Sequence, residues 1–367
     1  MTGSWYELGG TIRAAHPAET RARVAPLFAR LGITRVARLT GLDTLGVPVS
    51  VAIRPQGRLL STALGKGITE DLADLSAIME SIETWHAEHL IVSAMGTSRQ
   101  VGPTVTFGAR PDEEIAWVSV RELQSGDARL APAACFDLDT ADLARDRLAR
   151  RFRPTTTGLA SGNTHDEALL HALCEVIERD AVARMDQLDA GACDERRIAL
   201  STITDDTACG LLDRFASAGF AIEVLDVTTA IGVPVFHVTI LDRDPLRGGY
   251  VDRGMGAHLA PEIALVRALT EAAQSRLGYI SGSRDDFWPD DYIAAPRIAP
   301  TDVPPPGRRS FEACRRVEAR TWEDSIRELL GRIAAPVWVL DHERPELGVP
   351  VVHVRCPDLR DAAGTRA

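Results

Sequence analysis

Lysine and asparagine are nearly absent from this chain. Of its 41 basic residues only Lys66 is a lysine, and Asn163 is the single asparagine. A GC-rich genome accounts for the bias, yet both survivors fall in the two most patterned segments of the sequence. Positive charge is in deficit as well: 52 acidic residues face 41 basic ones, a net −11 with histidine neutral. Such a chain lacks the basic face that phosphate contacts demand, so nucleic acid is not an expected partner. No apolar run approaches the roughly 20 residues of a membrane span. The N-terminus lacks the basic-then-apolar order of a signal peptide. A soluble, cytoplasmic protein with no membrane association is expected. Six cysteines are scattered, at positions 135, 174, 193, 209, 314 and 356. No pair is spaced as CxxC and no histidine pair completes a zinc pattern, so they read as reduced thiols. Neither GxxxxGK[ST] nor a GxGxxG after a strand occurs, which argues against ordinary P-loop and Rossmann sites.

What is present is a globular chain of 367 residues, 45% hydrophobic and 25% charged, long enough to bury a substantial core. It also carries a hidden triplication. Residues 67–83 read GITEDLADLSAIMESIE, residues 162–178 read GNTHDEALLHALCEVIE, and residues 264–274 read ALVRALTEAAQ. The shared register is Ala73, Ala77, Glu80, Glu83; then Ala168, Ala172, Glu175, Glu178; then Ala264, Ala268, Glu271, Gln274, at offsets of 95 and 96 residues. Solenoid repeats are shorter, so three α+β units are expected. Thr69 and Thr164 cap the first two helices and Pro261 suits the first turn of the third. The repeated positions lie at about 0°, 40°, −20° and −80° around a 3.6-residue helix, so alanines and acids share one face. Small residues let helices approach closely, and the acids then point at whatever the helices surround. Crowded carboxylates repel and one would normally be protonated. A hard cation such as Mg2+, which prefers oxygen and shares it with phosphates, removes that cost. The competing reading puts each acid on a solvated face.

Between the helices, runs at Val49–Ile53, 116–120, 221–227, 233–241, 336–340 and 349–354 read as strands. A basic helix is expected near residues 20–31, and a loop at 294–309, which includes TDVPPPGRR. No composition break defines two independent domains.

At these residues the chain resembles the YcaO family. The resemblance is carried by GKGITEDLADLSAIMESIETWHAEH (65–89), TTTGLASGNTHDEALLHALCEVIERDA (155–181) and GAHLAPEIALVRALTEAAQSR (256–276), with TGLDTLGVPV (40–49) at its start. It runs from about residue 35 to 280. It implies an α+β, YcaO-like fold of repeated helix-on-sheet units, whose acidic helices converge on one ATP/Mg2+ site. Residues 1–34 then form an N-terminal helical segment and 35–367 the catalytic domain. It also implies that ATP activates a backbone amide oxygen of a peptide or protein substrate. By this resemblance Glu80, Glu83, Glu167, Glu175 and Glu178 ligate Mg2+, Asn163 contacts nucleotide or a ligand water, and Arg179 touches phosphate or locks a carboxylate. Glu80, Glu178, Arg179 and Arg276 carry catalysis, with Lys66, Ser76, Asn163, Glu271 and Gln274 around the nucleotide.

Elementary chemistry supports these residue types, since phosphoryl transfer is mainly positioning and charge neutralisation. Lys66 stands between two glycines that permit close approach. Arg276 is set either at the γ-phosphate or in a salt bridge to a neighbouring Glu. His171 reads as a hydrogen-bonded core histidine rather than a base. The C-terminus VPVVHVRCPDLRDAAGTRA lacks the proline-rich ending of azoline-forming members, which points to thioamide formation with a TfuA-like, sulfur-handling partner. An azoline-forming cyclodehydratase and a non-catalytic nucleotide-binding scaffold remain the alternatives. The apolar stretches leave room for a homodimer.

Overall fold

The computed structural model describes residues 5–139, 148, 151–185, 187–244, 250–293 and 303–361. A short hairpin, Tyr6–Glu7 with Ile12–Arg13, leads into helix α1, Pro17–Val24, the start of the expected basic helical stretch. Three units of antiparallel sheet and acidic helix follow.

In the first unit, β1 (Arg35–Arg38), β2 (Val49–Ile53) and β3 (Thr62–Lys66) form a sheet in that order, covered by α2 (Glu70–Glu88). The second unit is larger. Strands β4 (Ala94–Gly96), β5 (Ile115–Glu122), β6 (Ala128–Pro132) and β7 (Leu159–Ser161) precede helix α3 (His165–Met185). The third unit contains helix α4 (Asp206–Ser217), the sheet of β8 (Phe220–Asp226), β9 (Val235–Asp242) and β10 (Val251–Ala257), and helix α5 (Pro261–Ser281). The chain then returns through α6 (Trp322–Arg332), β11 (Trp338–Asp341) and β12 (Val351–Arg355) to complete the second sheet, ordered β4-β5-β11-β12-β7 with β6 on β5.

The repeat thus has a structural meaning. β3, β7 and β10 each lie at the edge of their sheet, and each runs directly into an acidic helix. Their ends, Lys66, Ser161 and Ala257, keep the same 95- and 96-residue offsets as the helices. Thr69 caps α2 by accepting from Leu72 N, and Thr164 caps α3 by accepting from Glu167 N. The repeated alanines are fully buried, and what they approach is backbone. A Cβ on Gly65 would run into Ala73 and Ala77; one on Gly254 or Gly256 would run into Ala264, Ala268 and Ala272. Glycine on β3 and β10 and alanine on the helix together bring α2 and α5 down onto their own sheets.

The largest core lies between α3, α6 and the β11–β12 sheet, including Ala168, Ala172, Leu329, Val352 and Val354. A second lies between α4, α5 and the β8–β10 sheet. All six cysteines are free thiols. Among the described residues, no helix is long and apolar enough to cross a membrane. The expected loop at 294–309 falls outside the described residues as far as 302; from 303 to 308 it has no regular structure.

Candidate functional site

A cavity of about 690 Å³ opens where the three units meet, within the usual range for small-molecule sites. It is lined by Lys66, Ser76, Glu80 and Glu83 from the first unit and by Asn163, Glu167, Glu175, Glu178 and Arg179 from the second. Glu271 and Gln274 come from the third. Apart from Arg276, every residue expected at the site from the sequence therefore lines one space.

The acids are arranged cyclically. Glu83 of α2 accepts from Ser161 N at 2.8 Å and Ser161 Oγ at 2.6 Å, at the end of β7. Glu178 of α3 accepts from Ala257 N at 2.8 Å, at the end of β10. Glu271 of α5 is ion-paired with Lys66, at the end of β3. Each helix thus reaches the strand of the next unit. Glu175 takes Gly158 N at 3.3 Å and lies 3.7 Å from the Arg179 guanidinium.

Electrostatics separates these acids. Burial pushes Glu83 up to about 8, against the Ser161 bonds, and Glu175 up to about 7, against Arg179. Burial also raises Glu178, with help from Glu271, and the surrounding cavity wall raises Glu80, although that residue is itself exposed to the open cavity. Glu271 goes the other way: burial would raise it, but Lys66 and Arg179 outweigh burial and lower it. Among the described residues Glu80, Glu83 and Glu178 have no ion-pair partner, and the Glu80 carboxylate has no hydrogen bond either. These three carboxylates, Glu178 buried, Glu83 half-buried and Glu80 exposed to the cavity, thus lack a direct ion pair among the described residues, and Lys66 and Arg179 act on Glu80 and Glu178 only at longer range.

A set of carboxylates from several helices, three of them without a direct ion pair among the described residues, fits a hard divalent cation. Among the described residues, no three acidic or imidazole groups already stand in ligand arrangement. The fit rests on donor chemistry and charge. Glu167 differs from the other acids. Its oxygens already accept from Arg13 Nη1 at 3.4 Å, Ala14 N at 3.1 Å and the Asn163 N and Nδ2 groups at 3.1 Å. Asn163 Oδ1 takes the Thr20 hydroxyl at 2.7 Å. Asn163 and Glu167 thereby tie residues 13–20 to the cavity wall, and a ligand at Glu167 must displace one of these bonds.

Two expectations need correction. Arg276 does not face this cavity. It is 5% exposed and lies 3.0–3.4 Å from Asp43, Asp242 and Asp252, with its guanidinium over the Phe220 ring at 4.8 Å. It is the buried cation of a carboxylate cluster behind α5, a salt bridge as in the alternative, but to aspartates and not to a neighbouring Glu. The glycines around Lys66 face α2 and admit the helix rather than a phosphate; the Lys66 ammonium itself lines the cavity, paired with Glu271.

Arg267, Ser161 and Arg13 are among the cavity residues that the sequence reading missed. Arg267 lies one turn before Glu271, lines the cavity, and approaches His171 Nε2 at 2.8 Å through Nη1. Its position in ALVRALTE was a usable signal. His171 is the hydrogen-bonded histidine expected; burial first, then Arg267, hold its pKa well below the usual value. Ser161 acts half through its backbone amide, which no side-chain pattern marks. Arg13 comes from the N-terminal segment, which carries no repeat.

Comparison with known proteins follows the same lines. The sequence pattern of the YcaO family, described as YcaO cyclodehydratase, ATP- and Mg2+-binding, matches residues 103–360. A protein of Rhizobium leguminosarum bv. trifolii, named for its place in the tfuA 3' region, is 37% identical over 375 residues, 95% of this chain and 88% of that protein. The structure of YcaO from Methanopyrus kandleri bound with AMPPCP and Mg2+ matches with a TM-score of 0.75 at 22% identity, over 99% of this chain and 96% of that one. A heterocyclase in complex with substrate and cofactor matches at TM-score 0.74 and 18% identity, over 98% of this chain but 55% of its own. The two structural likenesses establish the fold.

Proposed function

This chain belongs to the YcaO family, and from that premise we propose that it uses ATP and Mg2+ to phosphorylate the oxygen of a peptide backbone amide, leading to a thioamide. The observation that carries this reading is the convergence of Glu80, Glu83, Glu175, Glu178 and Glu271 from three repeat-related helices onto one cavity. Mg2+ held among these oxygens supplies charge neutralisation at the transferring phosphoryl group. Lys66, Arg179 and Arg267 line the same cavity and are the cations that hold and orient phosphates. Ser76, Asn163 and Gln274 are the polar groups set to contact the nucleotide. The amide oxygen attacks the γ-phosphorus and ADP leaves. Sulfide then adds at the amide carbon, and the former amide oxygen departs as phosphate.

The relative in the tfuA 3' region supports a TfuA-like protein as the partner that delivers sulfur. The family's description as cyclodehydratase favours a second reading, in which a substrate Cys, Ser or Thr side chain adds instead and closes an azoline. Product mass separates the two: oxygen replaced by sulfur in the first, water lost in the second.

Calorimetric titration with AMPPCP, with and without Mg2+, tests the site. Wild-type protein is expected to bind only with Mg2+, and Glu80→Gln and Glu178→Gln to lose binding by about tenfold or more while keeping their thermal midpoints. Unchanged binding in both variants would remove these acids from the site.

A further inference from the structure

The last strand of the third unit is open along the side that faces the cavity. β10 pairs only with β9 among the described residues. Asp242 N donates to Tyr250 O and His258 N to Pro234 O. With the register Val235↔Ala257 to Leu241↔Val251, these bonds fix the ladder. Asp252, Gly254 and Gly256 turn their N–H and C=O groups toward β9. Val251, Arg253, Met255 and Ala257 turn theirs outward. The outward direction is seen directly at Ala257, whose N–H meets Glu178.

The N–H and C=O groups of Val251, Arg253 and Met255 have no partner among the described residues. All three residues line the cavity, and none is buried. An unpaired strand edge is a template for another extended backbone. From Met255 to Ala257 is two residues, about 7 Å of strand. A chain paired with Met255 therefore delivers its next amide to the carboxylates.

We propose that the β10 edge, at Val251, Arg253 and Met255, is where the peptide substrate docks as an added strand, read by its backbone and carried along the edge to the acidic cluster. The inference deepens the reading above and rests on its peptide substrate. It accounts for how an enzyme acting on a backbone amide presents that group rather than a side chain.

Peptide backbone chemistry tests it. Isotope-labelled wild-type protein is titrated with a capped peptide of about six residues of Thr, Val and Lys. The same sequence is also used N-methylated at alternate amides, and N-methylated at every amide. The first two keep at least one complete donor edge and the third has none. Expected are amide shifts confined to Val251, Arg253, Met255 and their neighbours with the first two peptides. Binding to the third should be about tenfold weaker or absent.

Equal binding of the fully methylated peptide, shifts mapping elsewhere, or no binding at millimolar peptide each overturns the proposal. A dimer in sedimentation that the peptide disperses overturns it too, since the edge then belongs to a second copy. AMPPCP with Mg2+ is titrated on the same sample. Failure there removes the nucleotide reading and leaves strand addition standing, whereas failure of the peptide arm alone does the reverse.

Discussion

At the scale of single residues, position around the helix decides role. Arg276 is twelve residues after Ala264, about 120° around the helix, whereas Glu271 is at about −20°. The spacing that made the acids legible already placed Arg276 on the opposite side; its proximity in sequence to Gln274 was the misleading cue. Replacing it with Met removes the buried cation that Asp43, Asp242 and Asp252 share. The expected loss is about 3–5 kcal/mol in denaturant unfolding. Glu83 shows the converse. Its pKa is raised to about 8 by burial, so its contribution to stability is fullest below about 4.5 and is lost as pH rises through 8. In Mg2+-free buffer at or above pH 8, Glu83→Gln should therefore melt higher than wild type while losing Mg2+-dependent nucleotide binding. A lower midpoint there would mean that the Ser161 bonds outweigh desolvation. Ser161 itself had no legible signal, because half of its contact is a backbone amide.

At the scale of elements, the helices were legible and the strands beside the site were not. Of the expected strands, Val49–Ile53 is reproduced, and the other five runs overlap β5, β8, β9, β11 and β12. Each is rich in β-branched or aromatic residues. The edges β3, β7 and β10 read TALGK, LAS and VDRGMGA, too short or too rich in glycine to register. That weakness has a physical cause, for β3 and β10 give up side chains so that a helix backbone can settle on them. Gly65→Ala should force α2 away from β3. The expected cost is about 1–3 kcal/mol in thermal or denaturant unfolding, with a matching loss of nucleotide binding as Glu80 and Glu83 withdraw. An unchanged midpoint would show that the helix can lift without penalty.

At the scale of the whole molecule, the three-unit plan could be seen in the 95- and 96-residue offsets, but its closure into a ring could not. Offsets say that units repeat, not which unit each acid reaches. The buried titratable groups also act collectively. Burial lowers His86 and His237 to about 4 and His258 and His353 to about 3, and it takes His171 and His342 well below the usual value. Their contribution to stability is present above about 6.5 and is lost as pH falls, because only the unfolded chain takes up protons there. The raised acids work in the opposite sense, gaining as pH falls from 8. Above about pH 6.5 the acids act alone, and below it the histidines outnumber them. Without Mg2+, the thermal midpoint should peak near pH 6.5 and fall on both sides; a monotonic profile from pH 8 to 5 would contradict this balance.

The ring of acids and strand ends is not fully regular. Two of its closures join a carboxylate to a backbone amide, while the third joins Glu271 to the Lys66 side chain, with Gln274 where the other helices carry Glu83 and Glu178. A pocket with three equal sectors would offer an asymmetric ligand three equal poses. The one sector that differs removes that degeneracy, as the offset pin of a plug does. The departure at Lys66 and Gln274 then gives the cavity a polarity, so that a chain of phosphates bound as proposed above has a head and a tail fixed in advance.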